Sequence, residues 1–233
     1  MRIAILSDIH SNLEALTKAL KVIDSMGVDE VVCLGDVVGY GANPNECLEI
    51  IRRRCKTILL GNHDLAAVDV SAAEFFAHLA RVAAEWTHRT LTADNKKFLL
   101  SLPYTANRPD MLLVHASPHE PEEWHYIIST FDAFEAFKAF EERICFVGHS
   151  HVPGIFSPTG KAATVNKDDR FIVNVGSIGQ PRDGNPQLSF GVFETETWKY
   201  ENIREDYDIS GASAKILEAG LPRGLADRLF VGV

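Results

Sequence analysis

Five short apolar runs punctuate the first two thirds of the chain, and each ends abruptly on polar residues. Ile3-Ala4-Ile5-Leu6 leads into Ser7-Asp8-Ile9-His10, and Val31-Val32-Cys33-Leu34 into Gly35-Asp36. Ile58-Leu59-Leu60 leads into Gly61-Asn62-His63-Asp64, Met111-Leu112-Leu113-Val114 into His115, and Ile144-Cys145-Phe146-Val147 into Gly148-His149-Ser150-His151. Runs this short, rich in β-branched residues and bounded by glycine or polar groups, predict buried strands. The segments between them are helical. Leu13, Leu16, Leu20 and Ile23 share one face behind a Ser11-x-x-Glu14 capping box, and Gly27 stops that helix. Asn43-Pro44-Asn45-Glu46 predicts a second helix to about Arg54, before a strand at Lys56–Leu60. The order β-α-β-α-β, with connections of crossover length, predicts an α/β fold with parallel pairing.

Further along, Ser71-Ala72-Ala73-Glu74 repeats the capping-box pattern, with an apolar face of Phe75, Phe76, Leu79, Val82, Ala83 and Trp86. A second helix is predicted from Thr92 to just before Pro103. This helical hairpin at about 71–102 follows Asn62-His63 directly, so it either caps the site or packs as core. Four phenylalanines, Phe131, Phe134, Phe137 and Phe140, recur every third residue of a helix at Phe131–Glu141 and are expected in the core. After His151 the texture changes. Phe171–Val175, Leu188–Phe193 and Trp198–Ile203 predict short strands in an antiparallel meander that closes a second sheet. From Ser210 a helical tail is expected, broken at Gly220 and Pro222. Without repeats, low-complexity tracts or linker composition, one domain over residues 1–233 is the expectation.

A lone carboxylate at a strand end is ordinarily a cap or a turn former. Recurrence at five strand ends, where open α/β sheets collect functional groups, makes it a site. Asp8, His10, Asp36, Asn62, His115, His149 and His151 supply oxygen and imidazole donors without a thiolate. That set suits Mn, Fe, Zn or Ni rather than copper(I) or an iron–sulfur cluster. Seven donors exceed one tetrahedral ion but suffice for two ions if a carboxylate bridges. The four cysteines form no Cys-x-x-Cys pair and read as buried reduced thiols. A net charge of −9 argues against a nucleic-acid or anionic-membrane surface, without excluding phosphate chemistry at bound cations. The N-terminus turns polar too early for a secretory segment, and no apolar run approaches membrane-spanning length, so a cytoplasmic protein is expected. Self-association is left open.

Asp8-x-His10, Gly35-Asp36, Gly61-Asn62-His63-Asp64, His115 and Gly148-His149-x-His151 resemble the five signature blocks of the calcineurin-like metallophosphoesterases. The resemblance implies a four-layer α/β/β/α sandwich of two mixed sheets flanked by helices, with two divalent metal ions at the strand ends. It implies that Asp8, His10, Asp36 and His151 hold one ion, and that Asp36, Asn62, His115 and His149 hold the other, with Asp36 bridging. His63 would reach the substrate phosphate as a protonated imidazole, and Asp64 would orient its ring. Hydrolysis would proceed by in-line attack of a metal-bridging hydroxide on phosphorus.

Asn174-Val175-Gly176-Ser177 and Gln180-Pro181-Arg182 resemble a later block of bacterial and archaeal phosphodiesterases in this superfamily, in which Val175 stands where proline is usual. Arg182 would then approach the phosphate, or serve in a surface salt bridge; Asn12 and Tyr40 either line the site or cap and pack. Gly39-Tyr40-Gly41 replaces the Asp-Arg-Gly continuation of the protein serine/threonine phosphatases and dinucleoside tetraphosphate hydrolases. A small-phosphoester hydrolase, and among these a phosphodiesterase, is therefore the expected function. The alternatives are a phosphomonoesterase, those two branches, a nuclease, or a non-catalytic scaffold with the same fold. His78, His88, His119 and His125 fall outside the blocks and are expected on the surface or in packing roles.

Overall fold

The computed structural model describes all 233 residues. Its strands are β1 (Arg2–Leu6), β2 (Glu30–Cys33), β3 (Thr57–Ile58), β4 (Thr105–Arg108), β5 (Met111–Val114), β6 (Ile144–Val147), β7 (Gly154–Ser157), β8 (Gly160–Ala162), β9 (Phe171–Asn174), β10 (Leu188–Glu194) and β11 (Lys199–Glu205). Its helices are α1 (Leu13–Ser25), α2 (Pro44–Arg54), α3 (Asn62–Val68), α4 (His78–Thr90), α5 (Ala93–Leu99), α6 (Thr130–Ala136), α7 (Ile209–Glu218) and α8 (Arg223–Asp227). The strands form two mixed sheets, β11-β10-β1-β2-β3 and β4-β5-β6-β9-β7-β8. No helix is long and apolar enough to cross a membrane.

Strand alternation builds four layers. Ile3 and Ile5 of β1 point between the sheets, where they meet Leu113, Ile144, Phe146 and Val173. Ala4 and Leu6, one residue out of phase, face Leu16, Leu20 and Ile23 of α1 and Leu48 and Ile51 of α2. On the far side, Val114, Cys145, Val147 and Ile172 pack beneath Ala133, Ala136, Phe137 and Phe140. The α/β/β/α sandwich thus follows from strands apolar on both faces. Cys33, Cys47 and Cys145 are buried and Cys55 is half-buried, all unpaired.

Several local expectations give way. The meander is divided: β9 runs parallel to β6 in the second sheet, whereas β10 and β11 are a hairpin added antiparallel to β1 in the first. Alternation records which faces are buried, and the choice of edge is a long-range pairing it does not encode. Strands β4, β7 and β8 bury at most one residue each, so they leave no apolar run. Ser11 does not cap α1, because it sits at φ 55°, outside the extended backbone a cap requires; Asn12 caps instead, its Oδ1 accepting the Ala15 N–H. Ser71 is likewise no helix cap. The Asp69 carboxylate takes its N–H and hydroxyl, Val70–Ala73 becomes a 3-10 turn, and α4 begins only at His78. Of the four phenylalanines, Phe137 and Phe140 are core, while Phe131 and Phe134 are 70% and 52% exposed. A three-residue step rotates by about 60° away from a fixed helix face, so three such steps spread the four rings over about 180° and they cannot share one stripe. The expected C-terminal tail is present as α7 and α8, with Leu221 and Leu225 buried against α4.

Candidate metal centre

The ends of β1, β2, β5 and β6 and the first turn of α3 meet at one edge of the sandwich. Asp8, His10, Asp36, His149 and His151 all adopt left-handed backbone, with φ between 49° and 63°. Such conformations cost of order 1–3 kcal/mol each and persist where surroundings over-determine them. Here the loops brace one another through main-chain bonds from Asp8 to Gly35, His10 to Asp36, and Gly148 to His115. Close approach is enforced at Gly148, where a Cβ would collide with Ser7 Oγ and the Asp8 carboxylate. Gly148→Ala should therefore displace Asp8 and lower stability by about 1–3 kcal/mol. Thermal unfolding checks this, and an unchanged Tm would remove the steric argument.

The side chains converge in two groups that share one carboxylate. Asp8, His10, Asp36 and His151 present donor atoms within 4.8 Å of one another, and so do Asp36, His115 and His149. His151 Nε2 is 3.2 Å from Asp8 Oδ1, and His115 Nε2 is 3.4 Å from Asp36 Oδ2. His149 and His151, two residues apart, fall in different groups, each placed by its own left-handed backbone. One oxygen of each aspartate is fixed to main chain: Asp8 Oδ2 accepts the His149 N–H and Asp36 Oδ1 the His63 N–H. The other oxygens, Asp8 Oδ1 and Asp36 Oδ2, are buried without a partner, as are Asn62 Oδ1, His115 Nε2 and His149 Nε2. Burial of so many unsatisfied polar atoms is costly without a ligand.

Tautomers sharpen the point. Nδ1 of His10, His115 and His151 each face a carbonyl, those of Val38, Leu34 and Gln180, so these nitrogens carry the protons. The Nε2 atoms of His10 and His151, both neutral through burial, then present lone pairs, and they stand 3.0 Å apart. Two lone pairs at that distance repel unless a cation lies between them. Burial holds His10 well below its ordinary value and takes His149 down to about 3, so both stay neutral imidazoles. Burial alone would raise the two aspartates, but His151 beside Asp8 and His115 beside Asp36 outweigh it and keep both carboxylates ionised. His115 differs: burial lowers it, but the Asp36 and Asp8 carboxylates outweigh that and raise it to about 9, so a cation there would displace its Nε2 proton. A sulfur-free set of buried carboxylates and imidazoles fits divalent ions of the borderline and hard classes.

Around this centre the remaining expected residues divide. His63, at the start of α3, lies between Tyr40 (ring centres 4.4 Å apart) and Phe76 (4.7 Å), with its Nδ1 buried and unpartnered. Asn62, His63, Tyr40, His149 and Arg182 line a common cleft. Asp64 does not orient His63. Its two oxygens accept main-chain N–H groups from Val38 and Gly61, so it pins the Asp36 loop to α3. Burial raises the Asp64 carboxyl to about 7. Asn12 serves as the α1 cap and as donor to the Gly179 carbonyl and Tyr207 Oη. Arg182 is not in a surface salt bridge; it donates to Tyr40 Oη and Gln180 Oε1 at the cleft. Nor is His63 an imidazolium in this state, since burial pushes it down to about 4.

Phe75, Phe76, Ala77 and Ala80 line the cleft, whereas Ala83 and Ala84 are core. His119 and His125 lie on an exposed loop stacked on each other, away from the two groups, and His88 bonds the Ala67 carbonyl. Sequence reasoning passed over the aromatic wall opposite His63. Tyr126 stacks on His149 at 4.1 Å, and Trp124 stands edge-on to His115 at 5.9 Å. The Trp124-His125-Tyr126 triplet shortly after His115 was the available signal.

Comparison with known proteins agrees with this geometry. A model of the calcineurin-like phosphoesterase superfamily domain matches residues 1–198. An uncharacterized protein of Methanocaldococcus jannaschii is 38% identical over 242 residues, covering 99% of this chain and 98% of that protein. The crystal structure of a metallophosphoesterase from Sphaerobacter thermophilus superposes with a TM-score of 0.89 at 37% identity, over 100% of this chain and 99% of that one. A hypothetical protein from Pyrococcus horikoshii shares the fold with a TM-score of 0.85 at 20% identity, over 100% and 98% of the two chains. With its strand-end donors gathered on one shared carboxylate and its match to the family model running across most of its length, the chain belongs to the calcineurin-like phosphoesterase superfamily.

Proposed function

We propose that this protein is a phosphodiesterase that works with two divalent metal ions, drawn from Mn, Fe, Zn and Ni. The observation that carries the reading is the sharing of Asp36 between two buried donor groups beside an open cleft. Asp8, His10, Asp36 and His151 would hold one ion, and Asp36, Asn62, His115 and His149 the other. When bound, such a pair acidifies a water and neutralises charge on phosphoryl oxygens.

The chain's own residues then orient and exclude. Arg182 offers a guanidinium to a phosphoryl oxygen, a geometry that suits paired N–H donors. His63 has Nδ1 turned toward Gly39, which leaves Nε2 open to the cleft. As a neutral ring it donates a hydrogen bond from Nε2 to the substrate; an anionic phosphoester against it would draw its pKa back up and let it pass a proton to the leaving oxygen. Tyr40 occupies the floor where an arginine would grip a monoester dianion in the protein-phosphatase branch, and this favours a diester with its single charge. The substrate is read as a small phosphoester, in a cytoplasmic setting, and not as a nucleic acid.

A hydrolysis screen tests the proposal. Metal-reconstituted protein should cleave bis-p-nitrophenyl phosphate with a kcat/KM at least roughly ten-fold above that for p-nitrophenyl phosphate. The opposite preference would make it a monoesterase, and inertness with Mn, Ni and Zn alike would leave the scaffold reading.

A further inference from the structure

Residues beyond 198, outside the span matched by the family model, bring a second guanidinium to the cleft. Arg228 follows α8 in a 3-10 turn, Arg228–Phe230. The tail is held there by Ile216, Leu225 and Leu229, which pack on Ala80 and Ala83 of α4 and on Tyr40. The Arg228 guanidinium carbon lies 5.8 Å from the Tyr40 ring centre, and that of Arg182 lies 5.6 Å from the same ring. Both line the cleft that contains His63.

No Asp or Glu side chain pairs with either arginine. Arg182 donates to Tyr40 and Gln180, and Arg228 Nε donates to the Val233 main-chain oxygen at 2.5 Å. Arg182 Nε is buried without any partner. Arg228 Nε is taken up by the Val233 oxygen, whereas Arg182 has no anionic partner; two neighbouring guanidinium charges partly withdrawn from water favour an anion between them. Their burial and mutual repulsion press on Arg228. The Arg182 charge weighs on His63 and His151, next to the donor groups, while that of Arg228 weighs on Tyr40 further out.

We propose that Arg228, beside the Arg182 that faces the reacting phosphate, forms an anion subsite that holds a second anionic group of the substrate, one that is not attacked. The inference rests on the phosphoesterase reading above and narrows its substrates to phosphoesters with two anionic centres in one small molecule. His63 and Arg228 both flank Tyr40, so one such molecule reaches both. The facing wall of Phe75, Trp124 and Tyr126 accepts a flat group such as a nucleobase beside the anions.

The test compares ligands that differ only in the distal phosphate. Calorimetric titration of the metal-loaded protein should show thymidine 3′,5′-bisphosphate binding at least roughly ten-fold more tightly than thymidine 3′-phosphate. Arg228→Gln and Arg228→Met, the latter keeping the apolar stem, should abolish that preference, and Arg228→Lys should restore part of it. Hydrolysis of the two matching 3′-p-nitrophenyl esters should follow, the kcat/KM ratio collapsing in Arg228→Gln mainly through KM. A wild type without preference, or a neutral variant that keeps it, overturns the subsite. Should Arg228→Lys fare no better than Arg228→Gln, Arg228 is only an anchor for the tail and the proposal fails. If neither ester is cleaved by wild type, the hydrolase reading falls, while the binding preference still decides the fate of the subsite.

Discussion

Asp36→Asn is expected to cost the protein both metal ions together. The two donor groups have only this side chain in common, and its free oxygen, Oδ2, lies 3.4 Å from His115 Nε2 and 3.7 Å from His10 Nε2. An amide at the same position keeps the shape and can still accept the His63 N–H. It replaces an anionic oxygen by a neutral group or an N–H pair, which cannot bridge two cations. Elemental analysis after exchange into metal-free buffer should fall from two ions per chain to less than one. Phosphoester turnover should fall at least about 10³-fold, equivalent to about 4 kcal/mol in the barrier. His115→Ala, by contrast, touches one group and should release one ion. An Asp36→Asn protein that retains two tightly held ions would contradict a shared centre.

His63→Gln is expected to separate chemistry from metal binding. The contact His63 makes to Asp36 comes from its main-chain N–H, which the substitution leaves in place. Its ring touches Tyr40, Phe76 and His10 but takes no hydrogen bond from the donor cluster. Metal content should therefore stay at two ions, with turnover down by about 10²–10⁴-fold, the range for a lost proton-transfer or charge-stabilising group. The loss should appear in kcat more than in KM, because a group that engages developing charge acts chiefly in the transition state. Full activity in the variant would assign His63 a packing role beside Tyr40.

These expectations draw unequally on sequence and fold. Every member of the two donor groups was legible as a polar residue at the end of an apolar run. Such runs become strands through local alternation, and a strand end places its next residues at the sheet edge whatever the rest of the chain does. The same local logic misread Ser11 and Ser71, because a capping box is a competition between neighbouring side chains. Asn12 and Asp69 win it through backbone angles that spacing does not contain. Asp64 was misassigned for a related reason: adjacency to His63 suggested a pair, but the first turn of α3 sends its carboxylate to the Val38 and Gly61 amides.

By itself, then, the sequence determined the apolar runs and the donor residues at their ends, since these depend on residue type and short-range periodicity; the four layers and the sharing of Asp36 were implied by the resemblance of those blocks to a known family. Tertiary structure alone decided that β10 and β11 complete the first sheet, that Trp124 and Tyr126 face the donor histidines, and that Arg228 arrives beside Arg182 on Tyr40. Those are contacts between segments distant in the chain or looped back on it. They are fixed by which buried faces fit together, and apolar periodicity says that a face is buried without saying against what.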